Sequence, residues 1–120
     1  MLGVGGVATV KLAVVGSRGW TKYTSVFIAI TSIFPDEIVS GGAKGVDSMA
    51  EQWATLYHVP TKIFLPDWKK YGKRAGAIRN KQIVDYCDKL IAFWDGKSRG
   101  TLISIEMAQK AGKLLKVFRE

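Results

Sequence analysis

The sequence predicts an α/β fold: one open, parallel, five-stranded sheet, doubly wound with helices on both faces, covering residues 1–120 as a single domain. Three observations predict it. Short apolar runs alternate with segments whose apolar residues recur at helical spacing. Glycine-rich punctuation follows several of those runs directly. The runs themselves are apolar almost throughout, as strands covered on both faces require. A chain of 120 residues is the size of one domain.

The elements follow in order. Lys11 to Val15 is the first strand, ending at Gly16. Val26, Phe27, Ile30, Ile33 and Phe34 mark a helix that Pro35 stops. Glu37 to Ser40 is the second strand, closed by Gly41-Gly42. Val46, Met49, Ala50, Trp53 and Tyr57 trace the next helical face, with Pro60 beyond its end. Thr61 to Leu65 is the third strand, and a loop through Pro66 and Trp68 leads to a helix from about Arg74 to Cys87. Lys89 to Trp94 is the fourth strand, Thr101 to Ala111 the last helix with Gly112 as its stop, and Leu114 to Phe118 the fifth strand. Right-handed crossovers then give the order 3-2-1-4-5, with ligand loops beside the switch between strands 1 and 4.

Composition bounds the partners. Lys and Arg total 18 against 10 Asp and Glu, a formal net charge of +8 that favours anionic partners such as nucleotides or nucleic acid. Lone Cys87 cannot form an intrachain disulfide, which points to a reducing cytoplasm, and its neighbours Ile83, Val84 and Tyr86 suggest burial. The apolar opening, residues 1–8, lacks a basic start and is read as strand approach, not as a signal peptide. No run is long and apolar enough to span a bilayer, so no membrane partner is expected. Histidine and cysteine form no cluster at ligand spacing, so neither a metal nor a cofactor is called for. His58, the sole histidine, lies at a helix end and reads as a cap.

The loops after parallel strands emerge at one edge of the sheet. Three here combine glycine, hydroxyls and cations: Gly16-Ser17-Arg18-Gly19-Trp20, Ser40-Gly41-Gly42-Ala43-Lys44-Gly45-Val46-Asp47 and Asp95-Gly96-Lys97-Ser98-Arg99-Gly100-Thr101. Glycine lets the backbone approach an anion, and each following helix offers unsatisfied N–H groups. On this reading Gly16, Ser17, Gly41, Gly42, Gly45, Ser98, Gly100 and Thr101 hold phosphate, and Arg18, Lys44 and Arg79 neutralise it. None of the loops is a Walker A or GxGxxG sequence, so neither an ATPase nor a classical dehydrogenase follows.

A basic segment joins the third strand to its helix. Six cations occur from Lys69 to Lys81, with Trp68 and Tyr71 interleaved. It reads as a site wall, with Arg79 and Asn80 reaching the ligand and Trp68 or Trp20 stacking on a base, or as a strip for single-stranded nucleic acid. Asp47, Asp67 and Asp95 are the carboxylates near the loops. Asp47 reads as charge at the start of its helix, or as an acceptor for a ribose. Asp67 and Asp95 read as turn formers facing the same edge.

Taken in order, VVGSRGW (14–20), VSGGAKGVDSMAEQWA (39–54), PDWKKYGKRAGAIRN (66–80) and AFWDGKSRGT (92–101) resemble the SLOG superfamily. That superfamily groups DprA/Smf, Lonely Guy and YpsA-like proteins, and the likeness is greatest to its small YspA-like, cpYpsA-related branch. The resemblance implies a Rossmann-like fold, a nucleotide-type ligand across the first, second and fourth strand loops, and a homodimer. Lonely Guy proteins are phosphoribohydrolases using an arginine and the glutamate of PGGxGTxxE. Here Gly100-Thr101 matches the GT pair, Arg79 is the counterpart of the arginine, and Ser104 stands at the glutamate position. Glu106 lies two residues on, about 200° round the helix. DprA proteins share the look of SGGAKGVDSMAE and bind single-stranded DNA.

Three functions remain open at this level. The first is a module binding a nucleotide or an NAD- or ADP-ribose-type derivative. The second is a nucleotide N-glycosidic hydrolase, with Arg79, Asp47 and Asp95 as catalytic candidates. The third is a binder of single-stranded nucleic acid.

Overall fold

Five strands line up in the order β3-β2-β1-β4-β5, every neighbouring pair parallel. They are β1 (Lys11–Gly16), β2 (Glu37–Ser40), β3 (Thr61–Ile63), β4 (Lys89–Trp94) and β5 (Leu114–Arg119). The helices are α1 (Tyr23–Ile33), α2 (Val46–Leu56), the single turn α3 (Trp68–Tyr71), α4 (Ala75–Tyr86) and α5 (Arg99–Lys110). The structure, a computed structural model, describes residues 9–120. The opening segment 1–8, read above as strand approach, lies outside the described residues. The doubly wound α/β fold and the predicted strand order both hold.

The sheet register explains how one sequence feeds two cores. Ala13 of β1 pairs with Val39 of β2 and Leu90 of β4. With side chains alternating across the sheet, Leu12, Val14, Ile38, Ile91 and Phe93 pack under α1 and α2. Ala13, Val15, Val39, Leu90 and Ala92 pack on the other face beneath α4 and α5. The helices change face between β1 and β4, so the chain leaves a crevice at the carboxyl ends of the central strands.

Beyond shifts of one residue, such as β5 running to Arg119, three features differ from the sequence reading. β3 is two residues shorter at its carboxyl end, although Phe64 N still donates to Ser40 O at 2.9 Å. The loop expected through Pro66 and Trp68 contains α3, capped by the Asp67 carboxylate, which accepts from Lys70 N at 3.0 Å. α5 starts at Arg99, not Thr101, because Ser98 is its N-cap and accepts from Thr101 N. Elsewhere local readings hold. Cys87 is buried, and His58 sits past the end of α2 at φ 56°, its N–H donating to Thr55 O.

Candidate functional site

A cleft of about 450 Å³ opens at the carboxyl ends of β1, β2 and β4. Each surrounding element contributes: Gly16, Arg18 and Gly19 from the first loop, Gly41, Ala43 and Asp47 from the second, Asp95 and Ser98 from the third. Trp68 of α3, Arg79 and Asn80 from the second turn of α4, and Gly100 and Thr101 from the first turn of α5 complete it. The glycine at 16 is dictated by packing, since a Cβ there would meet the Val46 side chain. The loops after β1 and β4 are tied together by Ser17, whose buried hydroxyl donates to Thr101 Oγ1 at 3.4 Å and accepts from Asp95 N at 3.1 Å.

The second loop is organised from within. Asp47 Oδ2 accepts from Gly41 N at 3.2 Å and from Ala43 N at 3.1 Å. Between them, Gly42 N donates to Ser40 Oγ at 3.2 Å, and that hydroxyl donates to Glu51 Oε2 at 2.7 Å. The Gly41 and Gly42 N–H groups that the sequence suggested for phosphate, and that of Ala43 beside them, are therefore already held by side chains of β2 and α2. Asp47 does not cap its own helix either. Gly45 is the N-cap of α2, without a side-chain bond. Asp47 acts as a built-in anion closing the loop.

Its electrostatics follow from that position. Burial raises the Asp47 carboxyl from 3.8 to about 6, with Glu51 adding to the rise. The bonds from Ala43 and Gly41 and the nearby Arg79 charge partly oppose it. Arg79 reaches over from α4, donating through Nη1 to Gly41 O at 2.5 Å and through Nε to Asn80 Oδ1 at 2.9 Å. The approach needs glycine at 41, where a Cβ would lie 2.6 Å from Arg79 Nη1. Burial lowers the guanidinium from its ordinary value, Asp47 opposes that shift and Arg18 reinforces it. Asp95 moves the other way, held below the usual carboxylate range chiefly by the backbone N–H groups of Ser98 and Lys97.

Several sequence expectations are corrected here. Trp20 is buried in the core, its ring centroid 5.3 Å from that of Phe93 and its Nε1 donating to Lys22 O, so it cannot stack on a ligand. Gly42 faces away from the cleft: with φ at +71°, a Cβ there would meet Leu65 Cδ2 at 2.5 Å. Lys44 is exposed and, like Gly45 and Ser17, does not line the cleft. Asp67 caps α3 and lines a smaller neighbouring cavity with Lys70 and Tyr71.

Trp68, by contrast, stands exposed at the cleft's edge above the start of α4. Small residues make its seat, since a Cβ at Gly76 would lie 3.7 Å from Trp68 Cη2. Gly76 and Ala77 were not singled out from sequence, though two small residues after an aromatic in a helix start were the available signal. Ser104, at the position where Lonely Guy proteins carry glutamate, is buried and donates to Gly100 O at 3.3 Å. Glu106 is exposed and outside the cleft. Among the described residues, no group of three His, Cys, Asp or Glu is placed to hold a metal, and no helix is long and apolar enough to cross a membrane.

The chain is similar to known proteins over most of its length. The chain is 34% identical over 113 residues to the Gene 61 protein of Mycobacterium phage D29, covering 85% of this chain and 90% of that one. Its fold is similar to DNA processing protein A (DprA) from Streptococcus pneumoniae, with a TM-score of 0.74 and 27% identity, over 92% of this chain and 50% of that one. A second DprA structure, from Helicobacter pylori and described for its unique single-stranded DNA binding mode, matches with a TM-score of 0.71. The match has 23% identity and covers 89% of this chain and 64% of that one. The chain thus spans between half and two thirds of the DprA chains it resembles. Residues 10–71 match the family model YAcAr, and the chain belongs to this YspA, cpYpsA-related SLOG family.

Proposed function

We propose that the cleft binds one nucleotide unit, as a free nucleotide or a nucleotide-derived ligand. The observation that carries this is the pairing of two arginines with an exposed aromatic around one cleft: Arg18 and Arg79 for phosphate, Trp68 for a base. The volume lies within the range of small-molecule sites. Because the second loop is closed by Asp47, the phosphate contacts fall to Arg18, Arg79 and the start of α5 around Gly100 and Thr101. Family membership and the DprA-like fold support a nucleotide or nucleic-acid ligand without naming which.

Single-stranded nucleic acid is the second reading. Lys69, Lys70, Lys73 and Arg74 are exposed beside Trp68, and the sole ion pair among the described residues is Lys81 with Asp85. The H. pylori relative described for its single-stranded DNA binding adds support at the level of the fold. The hydrolytic reading rests on Asp47 and Asp95, each of which already accepts two backbone N–H groups. A homodimer and a cytoplasmic location complete the proposal. The apolar groove between α1 and β5, with Ile28 and Leu115 exposed, supports the first, and sedimentation tests it.

Calorimetry separates the two ligands. For a free nucleotide, Arg79→Ala should weaken binding by about tenfold or more, roughly 1.4 kcal/mol, while Lys69→Ala/Lys70→Ala changes it little. For a nucleic-acid strand the lysine pair should matter and affinity should fall steeply with salt.

A further inference from the structure

Asp47 has two oxygens, and only one is used. Oδ2 takes both loop N–H groups. Oδ1 has no partner among the described hydrogen bonds, yet no buried side-chain oxygen or nitrogen among the described residues lacks one. Oδ1 is therefore not sealed from solvent, and Asp47 is part of the cleft's lining. A buried carboxylate on the wall of the cleft thus has one oxygen committed to the loop and the other free of any described hydrogen bond. Arg79, across Gly41 from it, presents cationic N–H groups to the same space.

We infer that Asp47 is a specificity-determining acceptor, and that the cleft takes ribonucleotides whose sugar hydroxyls donate to Asp47 Oδ1 while their phosphate faces the arginines. This deepens, and rests on, the nucleotide-binding reading. The chemistry disfavours the reverse arrangement. A phosphate at Asp47 would meet a like charge at short range in a poorly solvated setting, which is strongly unfavourable. A hydroxyl there gains a charge-assisted hydrogen bond. A ligand lacking the hydroxyl leaves a desolvated carboxylate unpaired, the situation in which polar sites discriminate most sharply. Single-stranded DNA, whose internal sugars carry no free hydroxyl, is then a poor ligand for this cleft.

The groups that set the charge around Oδ1 are Glu51 one turn along α2 and Arg79 from α4, with Arg18 and Asp95 lining the same cleft. Since the Asp47 carboxyl titrates near 6, the acceptor is ionised at neutral pH and protonated in mild acid. The hydroxyl preference should follow that titration.

The test is calorimetric titration with the four ribonucleoside 5′-monophosphates and their 2′,3′-dideoxy counterparts, near pH 7.5 and near pH 5, on the unsubstituted protein and Asp47→Asn. The amide carbonyl of the introduced asparagine can accept from Gly41 N and Ala43 N, so the loop is kept while the charge is removed. Expected is at least one ribonucleotide bound about tenfold or more tightly than its dideoxy form near pH 7.5. That ratio should shrink near pH 5 and in Asp47→Asn. Equal affinity for both forms near pH 7.5 overturns the acceptor role but leaves the nucleotide site standing. A ratio unchanged in Asp47→Asn also overturns it. No binding of any mononucleotide removes the site and the inference together.

Discussion

Replacing Asp47 by asparagine should make the protein more stable at neutral pH, an unusual outcome for a change at a buried, doubly hydrogen-bonded side chain. The carboxyl is raised in the folded protein from 3.8 to about 6. Folding therefore favours the protonated form. The stability that form provides is complete below about pH 3.8 and is lost as pH rises to about 6 and beyond. At 1.36 kcal/mol per unit, the loss by neutral pH is about 3 kcal/mol. An asparagine side chain carries no such penalty and can keep both loop bonds through its carbonyl. The attraction to Arg79 is already counted in that figure, because it is one of the effects that hold the carboxyl down to about 6. Urea unfolding of both proteins at a series of pH values from 4 to 7.5 isolates the effect, because every other carboxylate titrates in both. The stability difference should be small near pH 4 and grow in favour of Asp47→Asn up to neutral pH. A difference that stays flat, or grows in favour of the unsubstituted protein, would rule out Asp47 as a desolvated charge kept at a cost in stability. Charges kept at such a cost are characteristic of binding sites.

Other substitutions separate scaffold from site. Trp20→Ala removes a core aromatic against Phe93 and should cost about 3–5 kcal/mol in chemical denaturation. Trp68→Ala, at an exposed ring, should leave stability within about 0.5 kcal/mol yet weaken the ligand found by calorimetry. Gly42→Val forces a branched side chain into φ +71° against Leu65, so it should lower the melting temperature while a folded variant keeps its ligand affinity. Gly41→Ala should do the reverse more strongly at the site, displacing Arg79 from Gly41 O and reducing affinity in the same titration.

The layout was legible because strands covered on both faces leave a local mark. Runs such as Leu12–Val15 and Leu90–Phe93 are apolar without interruption, and glycine follows where the chain must turn at the sheet's edge. Arg18, Gly41, Trp68, Arg79, Asn80, Asp95 and Thr101 do meet around one cleft, because every strand-to-helix loop of a parallel sheet is delivered to the same side. What the sequence hid were side-chain directions fixed by distant partners. Trp20 lies beside a glycine loop and looks available, but Phe93, far along the chain, covers it. Asp47 looks like helix-start charge, and only the turn through Gly42 and Gly45 aims it back at Gly41 and Ala43. The Ser98 cap was a readable local signal, and recognising it would have started α5 at Arg99.

Whether Arg18, Arg79 and Trp68 act together as one nucleotide site is decided by a single set of dissociation constants. They are those of the tightest-binding mononucleotide for the unsubstituted protein, Arg79→Ala, Trp68→Ala and the Lys69→Ala/Lys70→Ala pair, at low and moderate salt. Binding should be saturable, weakened by about tenfold or more in Arg79→Ala, weakened also in Trp68→Ala, and little altered by the lysine pair or by salt. Affinity lost through the lysine pair and salt, while Arg79→Ala binds normally, would mean that the cleft is not a nucleotide site.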